Sequence, residues 1–99
     1  MAKRRVRMQI APFDASEYLD NEEVIAEYLA AALDDPNPNV FIRAVADVAK
    51  ARGMAEVAKA SGLGRESLYN ALAPGAKIRY ETVRKLVDSL GVKLTVKAA

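Results

Sequence analysis

The sequence contains no cysteine and no histidine. Without cysteine there is no disulfide stapling and no thiolate metal site, which suits a reducing compartment. Without histidine the commonest general base and the commonest zinc ligand are both missing. No stretch approaches the ~18 apolar residues of a membrane span. The basic residues Lys3, Arg4, Arg5 and Arg7 are not followed by an apolar core of the kind a signal peptide needs. A soluble, cytoplasmic protein is the expectation. There is no glycine-rich phosphate loop, no metal-ligand cluster, no activated nucleophile, no internal repeat and no low-complexity tract. The carboxylate pairs Glu22-Glu23 and Asp34-Asp35 are adjacent in sequence, so they point apart on a helix and make a poor acid–base couple. The chain is expected to be no enzyme and to need no cofactor.

What is present is apolar mass and an uneven charge layout. Ninety-nine residues with 52% hydrophobic side chains suffice for one domain with a real core. The net charge of +2 conceals three regions. Residues 1–13 hold four bases and no acid, 14–35 hold eight acids and no base, and 36–99 hold eleven bases against five acids. Two surfaces of opposite sign imply two partners, an anion such as nucleic acid for one and a basic surface for the other.

Periodicity divides the chain into an N-terminal arm, 1–20, and a helical domain, 21–99. Val6, Met8 and Ile10 alternate with polar residues up to Pro12, the pattern of a short strand or extended arm. Asp20 and Glu23 have capping-box spacing and open a helix over about 21–34. Its stripe is Val24, Ile25, Tyr28, Leu29, Ala32 and Leu33. Pro36 and Pro38 mark a turn. Asn39 is then expected to cap a second helix, to about Arg52, that buries Phe41, Ala44, Val45, Val48 and Ala49 and stops at Gly53. Two short helices follow, about 54–60 and 65–72, then a Pro74-Gly75 loop. A last helix, about 81–90, turns Val83, Leu86, Val87 and Leu90 inward and stops at Gly91. Val92, Leu94 and Val96 alternate with polar residues as a C-terminal β-strand would.

Residues 54–72 carry the chemistry. A helix-turn-helix needs two short helices that cross steeply about a tight turn. Ala58 is the small residue where they cross, Gly62 supplies the positive φ of the turn, and Leu63 and Leu68 plug the core between them. Arg65, Glu66, Tyr69 and Asn70 are left as an outer stripe, with Ser67 at its edge. Arginine pairs bidentately with guanine and asparagine with adenine, each worth ~1–3 kcal/mol of discrimination. Tyr69 and Ser67 suit backbone phosphate, and Tyr69 also a thymine methyl. The plainer alternative is a helical hairpin with a solvated polar face.

On these residues the motif resembles the Cro/repressor-type (XRE) superfamily. A longer stretch, about 13–97, resembles the probable addiction-module antidote proteins, the HigA-like antitoxins of type II toxin–antitoxin operons. The matching residues are Phe13-Asp14, Tyr18-Leu19, Glu27-Tyr28-Leu29, Ala51-Arg52-Gly53-Met54, Arg65-Glu66-Ser67-Leu68-Tyr69 with Leu72, Tyr80-Glu81-Thr82 and Leu90-Gly91-Val92-Lys93-Leu94. The resemblance implies an all-α fold of about five helices with a lambda-repressor-like helix-turn-helix. It implies a homodimer that represses its own operon and neutralises a RelE/HigB-like messenger-RNA ribonuclease. The DNA-facing helix of that family falls here on Arg65, Ser67, Tyr69 and Asn70. The chain departs from the superfamily at two points. Gly53-Met54 stands where Thr-Gln often touches phosphate, and Gly64 stands where a serine often precedes the arginine.

Lys77 and Arg79, in the loop after the motif, are expected on phosphate or in solvent. The acidic stretch is read either as a wet helix face or as the toxin surface, with Phe13, Tyr18, Glu22, Glu23 and Glu27 as candidate contacts. The strand through Val92, Leu94 and Val96 needs a pairing partner. A second subunit across a two-fold axis is the expectation, with residues 5–10 or a toxin edge strand as alternatives. Arg4, Arg5 and Arg7 are open to three readings: a minor-groove arm, a toxin-binding extension or a ragged terminus. The competing functions are a stand-alone phage-type regulator and a toxin-binding module that never touches DNA.

Overall fold

The computed structural model describes residues 21–99, which form five helices. The N-terminal arm, with its alternating segment 6–10 and with Phe13 and Tyr18, lies outside the described residues.

α1, Glu22–Leu33, starts one residue later than the capping-box spacing predicts: Asn21 is the cap, and its side chain accepts from the Val24 N–H at 2.9 Å. Glu22 and Glu23 then fall in the first turn, where the helix dipole favours negative charge. Ile25 and Leu29 are buried, but Leu33 is 49% exposed. Each four-residue step advances about 40° around a helix, so the second step past Ile25 carries Leu33 off the packed face.

α2, Pro38–Arg52, is capped by Asn37, not Asn39; the Asn37 side chain accepts from the Asn39 N–H at 2.9 Å. Pro38 begins the helix instead of barring it, because the first helical position has no N–H partner to lose and favours the φ of proline. Phe41, Ala44, Val45, Val48 and Ala49 are buried as expected, and Ala46 joins them.

Gly53 ends α2 and begins α3, Met54–Ser61, with no spacer. Its N–H donates to the Ala49 carbonyl at 2.9 Å, its own carbonyl accepts from the Val57 N–H at 3.0 Å, and φ +101° with ψ +118° makes the corner. Gly62 closes α3 in the left-handed region at φ +80°, and α4, Arg65–Ala71, follows after Leu63-Gly64. Ala58 is buried and Leu68 fully so, with Leu63 half-buried against them. α5, Tyr80–Ser89, places Val83, Leu86, Val87 and Leu90 in the same core. α1 packs on α2, while α3 contacts α2, α4 and α5. No polar side chain among the described residues is buried.

The expected C-terminal β-strand is corrected: no residue from 92 to 99 is in a strand, and the described residues contain none. The period-two apolar pattern has another origin. Val92 and Leu94 fold back, half-buried against the helical core, while Val96 is 99% exposed. An extended tail lying on a core alternates in the same way as a strand, but it forms no ladder.

Candidate functional site

α4 is the most outward-turned helix of the fold. Only Leu68 is buried; Arg65, Glu66, Ser67, Tyr69 and Asn70 are all exposed. Because residues four apart stack along a helix, Arg65 lies in line with Tyr69, and Glu66 with Asn70. These rows combine a planar cation, a carboxylate, an amide and a phenol, the last 48% exposed. The turn holding α4 against α3 is fastened locally: Ser61 Oγ donates to the Ala58 carbonyl at 3.3 Å and accepts from the Leu63 N–H at 3.3 Å. Gly64 at the start of α4 offers no side-chain cap.

Beyond α4 the chain turns through residues 72–75 and then runs outside any helix to α5. Ala76 and Ile78 are half-buried, whereas Lys77 and Arg79 between and after them face solvent. The Arg79 guanidinium lies 3.4 Å from a Glu81 carboxylate oxygen, with both side chains more than two-thirds exposed. An ion pair so exposed is worth ~0–1 kcal/mol, little enough to yield to a phosphate. Arg65, Lys77 and Arg79 thus leave three cations open on α4 and the strip that follows it.

The acidic residues divide. Glu22 is engaged with its own chain: Oε2 is 3.9 Å from an Arg52 guanidinium nitrogen, and the side chain lies over Gly91, where an added Cβ would come within 2.7 Å of its Cγ. This contact lies where the start of α1, the end of α2 and the residues just after α5 meet. Glu23 and Glu27 are exposed, aligned four residues apart, and outside any ion pair among the described residues. The structure therefore separates one structural glutamate from two open ones, which sequence spacing did not. Sequence reasoning also missed Tyr28 and Asp47 as a bonded pair within the chain. The Tyr28 hydroxyl donates to Asp47 Oδ2 at 2.9 Å and ties α1 to α2. Partial burial, then the bond to Asp47 and its negative charge, push the Tyr28 hydroxyl up to about 12. An aspartate between the core residues Ala46 and Val48 was the available signal. Of the three proposed dimer residues, Val92 and Leu94 are half-buried in their own chain and Val96 is open.

The described residues hold no cluster of acidic, histidine or cysteine side chains able to bind a metal ion, and none of their helices is long and apolar enough to cross a membrane.

Comparison with known proteins gives one family. The family model described as "Probable addiction module antidote protein" matches residues 9–98. An uncharacterized protein of Haemophilus influenzae (strain ATCC 51907 / DSM 11121 / KW20 / Rd) is 35% identical over 88 residues, covering 89% of this chain and 91% of that protein. No solved structure matches the chain. The chain belongs to the family of probable addiction module antidote proteins, the antitoxin components of toxin–antitoxin modules, whose partner is the cognate toxin.

Proposed function

We propose that the protein is a two-surface antitoxin: a homodimer that represses its own operon through a helix-turn-helix made of α3 and α4, and neutralises a RelE/HigB-like ribonuclease through its acidic helix α1. The observation that carries the DNA half is the set of five polar or aromatic side chains that α4 turns to solvent around one buried leucine, Leu68. A seven-residue helix anchored by one side chain and flanked by Gly62 in the left-handed region suits insertion in a major groove. In this reading Arg65 and Asn70 read base edges, Tyr69 and Ser67 meet phosphate or a thymine methyl, and Glu66 discriminates against wrong bases. Lys77 and Arg79 neutralise phosphates. Glu23 and Glu27 face the toxin, and Glu22 contributes by fixing the angle of α1. Catalysis belongs to the toxin, and the work is done in the cytoplasm, where operator and messenger RNA both lie.

The test is footprinting on the chain's own promoter fragment at two salt concentrations. Arg65→Ala and Asn70→Ala should each lose specific protection, by ~1–3 kcal/mol per base contact, with melting temperature unchanged. Lys77→Ala and Arg79→Ala should weaken binding to all sequences alike and flatten the log–log salt slope by ~0.9 each. Unchanged footprints for both α4 variants would remove α4 as the reading surface. No binding at either salt concentration would leave the toxin-binding module, a reading kept open by Gly53-Met54 at the start of the motif.

A further inference from the structure

A groove of about 500 Å³ opens between α2 and residues 72–76, which follow α4. Ile42 and Leu72, half-buried, and Ala46, buried, give it an apolar floor. Arg43 and Lys50 line it from α2, both exposed and neither in an ion pair among the described residues. Seven residues apart, they are separated by two helical turns, so they share one face of α2 and lie ~10 Å apart along it. Asp47 is the one carboxylate in the lining, and it accepts from the Tyr28 hydroxyl of α1 at 2.9 Å. The facing wall, Ala73-Pro74-Gly75-Ala76, carries no side chain larger than a proline ring. It is closed as a turn by the Ala76 N–H, which donates to the Ala73 carbonyl at 3.0 Å.

We infer that this groove is a second seat for the DNA backbone, in which Arg43 and Lys50 take phosphates of the strand flanking the base pairs that α4 reads. Resting on the reading of α4 as the helix in the major groove, this contact reaches an element outside the helix-turn-helix. The groove is continuous with that surface. α4 ends at Ala71, and Leu72 already lines the groove. At its other end the wall stops at Ala76, and Lys77 comes next. A strand that leaves the end of α4 toward Lys77 therefore passes a wall of small residues, with two open cations across from it. Their spacing suits the polymer, since ~10 Å of duplex axis presents about three phosphates of one strand at ~3.4 Å each. Charge selects among occupants. A basic protein would be repelled by both side chains, and an uncharged one would strip their water and return no counter-charge. An acidic protein would satisfy them, but only a long polyanion covers Arg43, Lys50, Lys77 and Arg79 in one run.

The experiment is binding of the full chain to its own promoter fragment between about 50 and 200 mM salt, with ethylation interference to report contacted phosphates one by one. Arg43→Ala and Lys50→Ala change exposed positions of α2 to the best helix former, so the melting temperature should hold. The double variant is expected to flatten the log–log salt slope by ~1.8 per bound protomer. Wild-type affinity should then fall about twelvefold more than the variant's across that salt range. Interference should disappear at phosphates beyond the base pairs whose protection depends on Arg65 and Asn70, with sequence preference unchanged. A duplex trimmed of those flanks should bind wild type no better than the double variant. An unchanged slope and interference pattern, while Arg65→Ala still loses specific protection, would overturn the backbone seat and leave the α4 reading standing. A flatter slope with flanking interference intact would mean a long-range field without contact, and would overturn it too. Loss of toxin binding in the double variant, with operator binding intact, would give the groove to a protein and have the same effect. Flanking interference lost in the double variant, with both α4 variants binding as wild type, would keep the groove and remove α4. A wild type that never binds the fragment would end both.

Discussion

At the scale of single residues, the least expected feature is the Tyr28–Asp47 bond, because Tyr28 reads as part of the apolar stripe of α1 and Asp47 as a surface choice. The hydroxyl is the donor, so the pair exists only while the phenol keeps its proton. With the folded value pushed up to about 12 from an ordinary 10.0, the native state holds that proton at pH values where the unfolded chain has released it. The stabilisation is therefore complete below about pH 10 and is lost as the pH climbs from there toward 12. Tyr28→Phe should lower stability by ~0.5–1.5 kcal/mol at neutral pH. It should also make the alkaline decline shallower, which urea midpoints taken from pH 7 to 12 would measure. A variant that declines as steeply as wild type over the last two units would place the alkaline lability elsewhere. The core side chains, by contrast, were legible: Ile25, Val45, Val48, Leu68 and Leu86 are apolar at helical spacing, and burial follows from spacing alone. Glu22 was not. Nothing local distinguishes it from Glu23, and its role depends on Arg52 and Gly91, thirty and sixty-nine positions away.

At the scale of elements, the longer helices were readable from a 3.6-residue apolar stripe and a punctuating glycine, proline or asparagine, and α4 from its place in the helix-turn-helix spacing of Ala58, Gly62, Leu63 and Leu68. The errors fall at ends, where competing caps such as Asp20 and Asn21, or Asn37 and Asn39, differ by a hydrogen bond that the pattern does not rank. The tail was misread for a different reason: alternation reports which side of an extended chain is buried, not whether its backbone groups are paired. The two corners that build the α2–α3–α4 arrangement make a sharper claim. Gly62 is in the left-handed region at φ +80°, ψ +5°, which asparagine also visits, whereas Gly53 at φ +101°, ψ +118° lies outside it. Gly62→Asn should accordingly be tolerated with a small loss. Gly53→Asn should cost more, on the order of 1–3 kcal/mol above the other, because no side chain-bearing residue is comfortable there. Urea unfolding of both would test the ranking. Equal losses would mean that the α2–α3 corner relaxes without glycine.

At the scale of the whole molecule, charge and connectivity divide the labour. The open acids Glu23 and Glu27 are on α1, which packs on α2. The open bases Arg65, Lys77 and Arg79 lie on α4, which contacts α3, and on the strip that leads from it into α5. Further carboxylates on α4, which already carries Glu66, would repel phosphate, and further cations beside α1, where Arg52 already meets Glu22, would repel a basic toxin. Reversing Glu23 and Glu27 to lysine leaves the core and the Glu22–Arg52 contact untouched, so the fold should survive, with a loss of ~0.3–1 kcal/mol or somewhat more from a lysine in the first turn of α1. If the acidic helix steers and holds a basic toxin, the double reversal should slow association most, by roughly tenfold or more at low salt and less at high salt, while footprints on the operator stay intact or strengthen. Association rates measured against the cognate toxin at two ionic strengths, beside footprinting of the same preparation, decide it. A double reversal that binds toxin at the wild-type rate but loses the operator would invert the assignment of the two surfaces.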